Sequence, residues 1–189
     1  MLARICLAVS LLLAAAPALA DADAALLAKL RQGGYVLFVR HTSTDFSQND
    51  ARMTSYEDCA NQRNLTDKGR AEARALGEHI QRLAIPIGAV YASPFCRTME
   101  TARLAFHQAQ RLAEARGGPA NDPERYEPLR KLLATKPPAG KNAVIASHGN
   151  PFYALFGPPY LAEGEIAVIA PEGPAIVGRI RLEDWQALH

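Results

Sequence analysis

Short apolar runs, separated by longer segments of mixed polarity, organise this chain. Residues 35–39, 89–92 and 143–146 are continuously apolar and end in polar residues. Runs of this length predict strands of a parallel sheet that is buried on both faces. Two later runs, 166–170 and 175–182, flank a Pro-Glu-Gly-Pro turn and predict two more strands.

The segments around these strands carry helical signals. Thr66 is a good N-cap for a helix to about residue 83, and Gly33-Gly34 is a plausible helix stop. Helices are predicted over 24–32, 66–83, 98–115, 124–134 and 183–188. Strands that alternate with helices predict a three-layer α/β/α sandwich with a mostly parallel central sheet. Residues 45–64 are polar and aperiodic, which predicts a long loop of a kind that is often functional.

Basic residues and histidines follow the predicted parallel strands. Arg40 and His41 end the first strand, Arg97 follows the second, and His148 follows the third. Ligands of open α/β sheets bind beyond the carboxyl ends of the strands, so these side chains should converge on one site. Arginine grips phosphate oxygens in a bidentate manner, and histidine can act as a nucleophile or carry a proton near neutral pH. The set therefore indicates phosphate chemistry.

Four motifs, in order, resemble those of the histidine phosphatase (phosphoglycerate mutase-like) superfamily. Residues 40–44 resemble its Arg-His-Gly-x-Thr motif, and residues 65–73 its Leu-Thr-x-x-Gly-x-x-Gln-Ala segment. Residues 93–102 are similar to its Ser-x-x-x-Arg-x-x-x-Thr-Ala segment, and residues 147–149 to its second histidine motif. Thr42 replaces the usual glycine, and Glu72 stands where glutamine is common. The resemblance implies the same sandwich fold.

Phosphate ester chemistry assigns roles to these residues. His41 is the expected nucleophile, Arg40 and Arg97 the clamp on the phosphoryl oxygens, and His148 a donor to the phosphoryl group. The Thr44 hydroxyl and the backbone amides of Gly149 and Asn150 are expected to complete the binding site. Thr42 is expected to place a side chain where backbone usually approaches the phosphate.

The general acid is the least determined part of the predicted site. The resemblance implies a carboxylate between the Arg97 and His148 motifs, and Glu124 is our prediction. Glu127, Glu114 and Asp45 remain alternatives. An enzyme without an acid would favour substrates with good leaving groups.

The first residues have the pattern of an export signal. A basic tip at Arg4 precedes an uncharged apolar run, and Ala18-Leu19-Ala20 forms a small-x-small cleavage site. We therefore expect a signal peptide at 1–20, a single domain at 21–189, and a periplasmic or secreted protein. Removal of Cys6 leaves Cys59 and Cys96, an even pair that predicts a disulfide in an oxidising compartment, with two free thiols as the alternative.

Composition narrows the classes of function. The net charge of +2 over 189 residues gives no reason to expect nucleic-acid binding or stable membrane association after signal cleavage. No cofactor and no metal site are predicted. The sequence predicts a phosphatase that acts on small phosphorylated substrates through a phosphohistidine on His41. A non-catalytic phosphoryl-ligand-binding protein of the same fold stays open, as does a metallohydrolase that uses His41 and His148.

Overall fold

A computed structural model describes the backbone of residues 15–189 and the side chains from residue 23 onward. The predicted export signal at 1–20 therefore lies largely outside the described residues. The described strands are β1 (Val36–Arg40), β2 (Ile87–Ala92), β3 (Gln110–Arg111), β4 (Asn142–Ser147), β5 (Ile166–Ala170) and β6 (Ala175–Ile180). The described α-helices are α1 (Ala15–Gln32), α2 (Asp67–Arg82), α3 (Cys96–Phe106), α4 (Glu127–Leu133) and α5 (Gly149–Phe156).

The strands form one mixed sheet in the order β3-β2-β4-β1-β5-β6. β4 lies between β1 and β2 and is parallel to both, while β5 runs antiparallel to β1 and forms a hairpin with β6. Arg40 is paired with Ser147, and both β1 and β2 align with Ala146. This register brings the carboxyl ends of the three parallel strands to one edge of the sheet.

Helices cover both faces of the sheet, which confirms the predicted three-layer architecture. Alternate strand residues such as Leu37 and Val39 pack against α1, α2 and α3, in a core that includes Leu76 and Trp185. The intervening residues, such as Phe38, pack against the other side, whose buried residues come from α4, α5 and neighbouring segments. A strand buried on both faces must be apolar at every position, which is the pattern in the sequence.

The helix predicted over 98–115 is wrong in its second half. α3 ends at Phe106, and His107 takes a left-handed conformation with φ of 58° that breaks the helical path. Residues 110–111 then pair with Tyr91 and Ala92 as the short edge strand β3. A β-sheet partner distant in sequence overrides the local helical periodicity here.

Other element boundaries differ as well. α4 starts at Glu127 rather than 124, and the predicted terminal helix is only a short 3-10 turn at Asp184–Gln186. α5, directly after His148, was not predicted. The prediction for α2 is confirmed, because the Thr66 hydroxyl accepts a hydrogen bond from the amide of Gly69 at 2.9 Å as an N-cap.

The predicted disulfide is present. Cys59 and Cys96 are joined with a Cα–Cα distance of 5.8 Å across 37 residues of sequence. The bond ties the irregular loop 45–64, which contains only turns and a 3-10 turn at Cys59–Asn61, to the start of α3. Arg97 is the next residue, so the loop is anchored beside the predicted site.

Among the described residues, we find no helix with the length and apolar character needed to cross a bilayer.

Candidate active site

A cavity of about 390 Å³ opens at the carboxyl ends of β1, β2 and β4. The predicted residues Arg40, His41, Arg97 and His148 all line it, and the centroids of the two imidazole rings are 5.5 Å apart. Gly149 and Asn150, predicted as substrate-binding residues, also line it. The topology therefore brings together side chains that lie more than a hundred residues apart in sequence.

His41 is held in one tautomer. Its ring lies 1% exposed, and Nδ1 is 3.0 Å from the carbonyl oxygen of Thr42. A carbonyl can only accept, so Nδ1 carries the proton and Nε2 keeps its lone pair. Burial, with the charges of Arg97, Arg40 and Arg63, lowers the pKa of His41 from 6.5 to about 3, although the Thr42 carbonyl opposes this shift. The imidazole is neutral at physiological pH, as a nucleophile must be.

Arg40 is fixed beside His41 by the segment that precedes β5. Its Nη1 donates to the carbonyl of Leu161 at 2.6 Å, and its Nη2 lies 3.6 Å from Glu163 Oε1. The same carboxylate oxygen lies 3.8 Å from His41 Nδ1. The buried Nε of Arg40 has no hydrogen-bond partner among the described residues. Glu163 thus faces two site residues at once.

Arg97 is paired with Asp50 in this structure. Its Nη1 donates to Asp50 Oδ1 at 2.9 Å, and its Nη2 donates to Oδ2 at 3.1 Å. The guanidinium also lies 4.3 Å above the ring of Phe95, and the side chain is almost fully buried. The carboxylate thus occupies both terminal nitrogens, which are the donors of an end-on bidentate contact, while the buried Nε has no hydrogen-bond partner among the described residues.

His148 directly precedes α5 and contacts Ser93, the residue that follows β2. Its Nε2 lies 2.7 Å from Ser93 Oγ, and the edge of its ring packs against Phe95. Removal from solvent, the repulsion that a protonated His41 would exert, and the charges of Arg97 and further arginines all act to hold the pKa of His148 well below 6.5. Both histidines are therefore neutral, so neither repels the other at neutral pH.

The backbone at the start of α5 lies close to the side chains of Tyr160 and Arg40. A side chain at Gly149 would place its Cβ 2.9 Å from Tyr160 Cδ1 and 3.3 Å from Arg40 Nη1, so only glycine leaves these groups in place. Asn150 accepts a hydrogen bond from the Tyr160 hydroxyl at 3.2 Å. The first backbone N–H groups of a helix have no internal partner, which suits them to an anion.

Two threonines lie elsewhere than expected. Thr44 does not line the cavity, because its hydroxyl donates to Glu163 Oε1 at 2.7 Å and its amide donates to Oε2. Thr42 is fully buried with its hydroxyl 3.3 Å from that of Thr101, so its side chain points to α3 rather than toward a phosphate. Glu72 accepts from the amide of Ser43 and supports the same segment.

Glu124 also lies away from the cavity. It is exposed, and with Glu127 it borders a separate surface depression next to Arg130. The turn that follows Pro123 directs this carboxylate to solvent, which the sequence spacing did not reveal. Glu114 is exposed as well, and Asp45 accepts from Ser47 on the loop surface. Among the described residues, Asp50 is the carboxylate that lines the cavity.

Sequence reasoning missed several cavity residues. Arg63, Arg116 and Arg125 bring the number of arginines around the cavity to five, and Tyr160 forms part of its wall. No carboxylate among the described residues lies within 4 Å of these three guanidiniums. They belong to irregular segments, where no periodicity predicts the direction of a side chain. The cavity thus has far more positive charge than the net charge of the chain suggests.

The described residues contain no cluster of three or more His, Cys, Asp or Glu side chains suited to a metal ion.

Comparisons with known proteins agree with this geometry. A family model described as the histidine phosphatase superfamily (branch 1) matches residues 36–120, which contain the first three motifs but not His148. No curated protein matches the sequence significantly.

Solved structures share the fold at low sequence identity. A phosphoserine phosphatase mutant from Entamoeba histolytica in complex with phosphoserine aligns with a TM-score of 0.56 and 12% identity, over 79% of this chain and 98% of that one. The protein histidine phosphatase SixA complexed with tungstate aligns with a TM-score of 0.55 and 18% identity, with the same two coverages. A mycobacterial glucosyl-3-phosphoglycerate phosphatase aligns with a TM-score of 0.51 and 17% identity, over 72% and 90%. At these identities the likeness shows the fold alone.

Proposed function

We propose that this chain, which belongs to the histidine phosphatase superfamily (branch 1), hydrolyses phosphate monoesters through a phosphohistidine on His41. The observation that carries the proposal is the neutral His41 imidazole, whose Nδ1 is held by the Thr42 carbonyl in a cavity lined by arginines. The export pattern at 1–20 and the disulfide support action in the periplasm or outside the cell.

The first chemical step is attack of His41 Nε2 on phosphorus as the ester oxygen departs. Arg40 and Arg97 neutralise charge on the equatorial oxygens, where the transition state is most negative. When Ser93 donates to His148 Nε2, the Nδ1 hydrogen of His148 is left to donate to a phosphoryl oxygen. Water then attacks the phosphohistidine, and inorganic phosphate leaves while His41 is regenerated.

The additional arginines favour small substrates with more than one anionic group. Arg116 and Arg125 line the cavity in addition to the pair expected to hold the reacting phosphoryl group. A second phosphate or a carboxylate is the chemistry that a guanidinium without a carboxylate partner binds best. Of the three similar structures, one is described as complexed with phosphoserine and one as a glucosyl-3-phosphoglycerate phosphatase, and we carry over only this shared phosphomonoester chemistry.

Rapid quench with a labelled substrate tests the proposal. The label should appear as an acid-labile, base-stable adduct on a peptide that contains His41. His41→Ala should abolish both the adduct and turnover, while Lys136→Gln, an exposed residue paired with Glu172, should change neither. A label on a serine, or normal turnover in His41→Ala, would contradict the proposal.

Two alternatives are separated by simple measurements. A binder without turnover is favoured by the position of Glu124, because the predicted general acid lies away from the cavity. Such a protein would bind inorganic phosphate but release none from any ester. A metallohydrolase would lose activity on exhaustive chelation and regain it with zinc, whereas we expect the activity to survive chelation.

A further inference from the structure

We infer that Asp50 is the proton donor to the leaving group, and that it reaches this role by exchanging places with the substrate phosphate on Arg97. The inference rests on the proposed function, since it concerns the same reaction. No sequence motif marks Asp50, which lies in the irregular loop 45–64.

The contacts of Asp50 show why it must move. Both of its carboxylate oxygens accept from Arg97, and Oδ1 also accepts from the backbone amide of Arg63 at 2.9 Å. A phosphate that approaches Arg97 end-on, through Nη1 and Nη2, needs the two donors that Asp50 now holds. The carboxylate and the phosphate therefore compete for one guanidinium, and the dianionic phosphate is the stronger competitor.

The exchange changes the acidity of Asp50. At present burial acts to raise its pKa, but hydrogen bonds from Arg97 and from the Arg63 amide, with the charges of both arginines, hold the pKa below its usual range. After the exchange, the carboxylate has lost its pair with Arg97 and lies beside a phosphate dianion. A like charge and the lost hydrogen bonds both favour protonation. Asp50 takes this proton from solvent through the open cavity.

In this reaction Asp50 donates the proton that the leaving group needs and later accepts one from water. As the His41 Nε2–P bond forms and the P–O ester bond breaks, the bonding pair leaves with the ester oxygen, and the Asp50 carboxyl transfers its proton there to release an alcohol. The resulting carboxylate accepts a proton from the water that attacks phosphorus. The N–P bond breaks, its pair returns to His41, and inorganic phosphate is formed. On phosphate release, Asp50 gives up its proton and pairs again with Arg97.

The contacts of the loop bear on how Asp50 can leave Arg97. The disulfide joins Cys59 to Cys96, the residue before Arg97, and the side chain of Gln62 accepts from the amide of Cys96 at 2.9 Å. Within the loop, the backbone amide of Arg63 donates to the Asp50 side chain. We place the motion in the Asp50 side chain, because the disulfide and the Gln62 contact tie the loop to the start of α3.

The contrast between leaving groups tests this inference. Asp50→Asn should lower kcat on an alkyl phosphate by about 10²–10⁴-fold, the usual contribution of a general acid. It should lose far less on 4-nitrophenyl phosphate, whose leaving oxygen needs little protonation. The variant should also bind inorganic phosphate more tightly at equilibrium, because the neutral amide competes more weakly for Arg97. Asp45→Asn, a neutralised carboxylate on the loop surface, is the matched control and should show neither effect.

Each other outcome has a distinct meaning. Equal losses on both substrates would overturn the inference and leave Asp50 as a residue that positions Arg97. Equal gains on both would overturn it in favour of a carboxylate that merely obstructs the anion site. A wild-type protein that turns over neither ester would overturn the proposed function itself, and the inference with it.

Discussion

The environment of His41 makes the stability of the fold depend on pH. The folded protein keeps this imidazole neutral, with its pKa at about 3, whereas the ordinary value is 6.5. Between these two values the unfolded chain binds a proton that the folded chain does not bind. Stability from this source is therefore complete above pH 6.5 and is lost as the pH falls toward 3.

Replacement of His41 should remove this dependence. Between about pH 7 and about pH 4.5, the wild type should lose about 2.5 kcal/mol more of its free energy of unfolding than His41→Gln loses. Urea denaturation of both proteins at each pH measures the difference, and contributions from carboxylates cancel because both proteins contain them. Identical losses would mean that His41 is protonated in the folded state.

At the level of elements, α2 supports the site through backbone contact. A Cβ added at Gly69, in the first turn of α2, would lie 2.0 Å from the carbonyl oxygen of Ser43, two residues after His41. Backbone atoms cannot move aside as a flexible side chain can. Any residue larger than glycine must therefore displace either the helix or the segment that follows His41.

Two glycines on the same helix allow a matched test. Gly69→Ala should cost about 1–3 kcal/mol in the free energy of unfolding and should also lower kcat. Gly77→Ala meets the carbonyl of Ala105 at 2.4 Å, on the side of α2 that packs against α3 away from the cavity. It should cost a similar amount of stability and leave kcat near the wild-type value. Denaturation and steady-state kinetics on both variants decide this, and an equal fall in kcat would show that the site responds to global destabilisation.

Regular elements were also the part of the structure that the sequence could predict. Arg40, His41 and His148 were placed in the cavity because each ends or directly follows a strand with a clear apolar run, and Arg97 because it lies in the first turn of the helix after such a strand. Parallel strands end at a common edge of the sheet. Glu124 was assigned from the family resemblance and Thr44 from its place in a motif. Both lie in irregular segments, where the backbone path depends on partners distant in sequence. Thr44, for instance, is held by Glu163, which lies 119 residues later.

Asp50 and the cavity arginines that were not predicted, such as Arg116, show the same limit of prediction from sequence. The position of Asp50 depends on a disulfide and on the Arg63 amide, and neither leaves a periodic signal in the sequence. Arg116 follows a 3-10 turn that replaces the second half of a predicted helix. An error in one helix boundary therefore hid a residue that lines the cavity.

For the whole molecule, charge is distributed unevenly. The chain is nearly neutral overall at +2, yet five arginines and one carboxylate line a single cavity among the described residues. A concave site with one sign of charge attracts oppositely charged ligands from a distance, and added salt screens this attraction.

Salt should therefore slow capture of an anionic ester. As NaCl rises from about 10 mM to about 200 mM, kcat/KM should fall about tenfold, within the range known for steered association. Arg116→Gln and Arg125→Gln should each flatten this dependence, while Lys136→Gln, exposed and paired with Glu172, should not. Initial rates at several salt concentrations give the slopes. A steeper slope for bisphosphates than for monophosphates would support a second anionic group in the substrate.

The turn of the hairpin formed by β5 and β6 is a suitable point for attaching the protein to a support. Ile169, near the end of β5, is paired with Val36 at the amino end of β1, so the turn at residues 171–174 lies about 15 Å along the strands from the cavity. Glu172 and Gly173 are exposed there. A peptide tag inserted at Gly173 would attach the protein to a solid support with the cavity facing the bulk solution. An immobilised preparation made in this way should give dissolved ligands access to the cavity without obstruction by the surface.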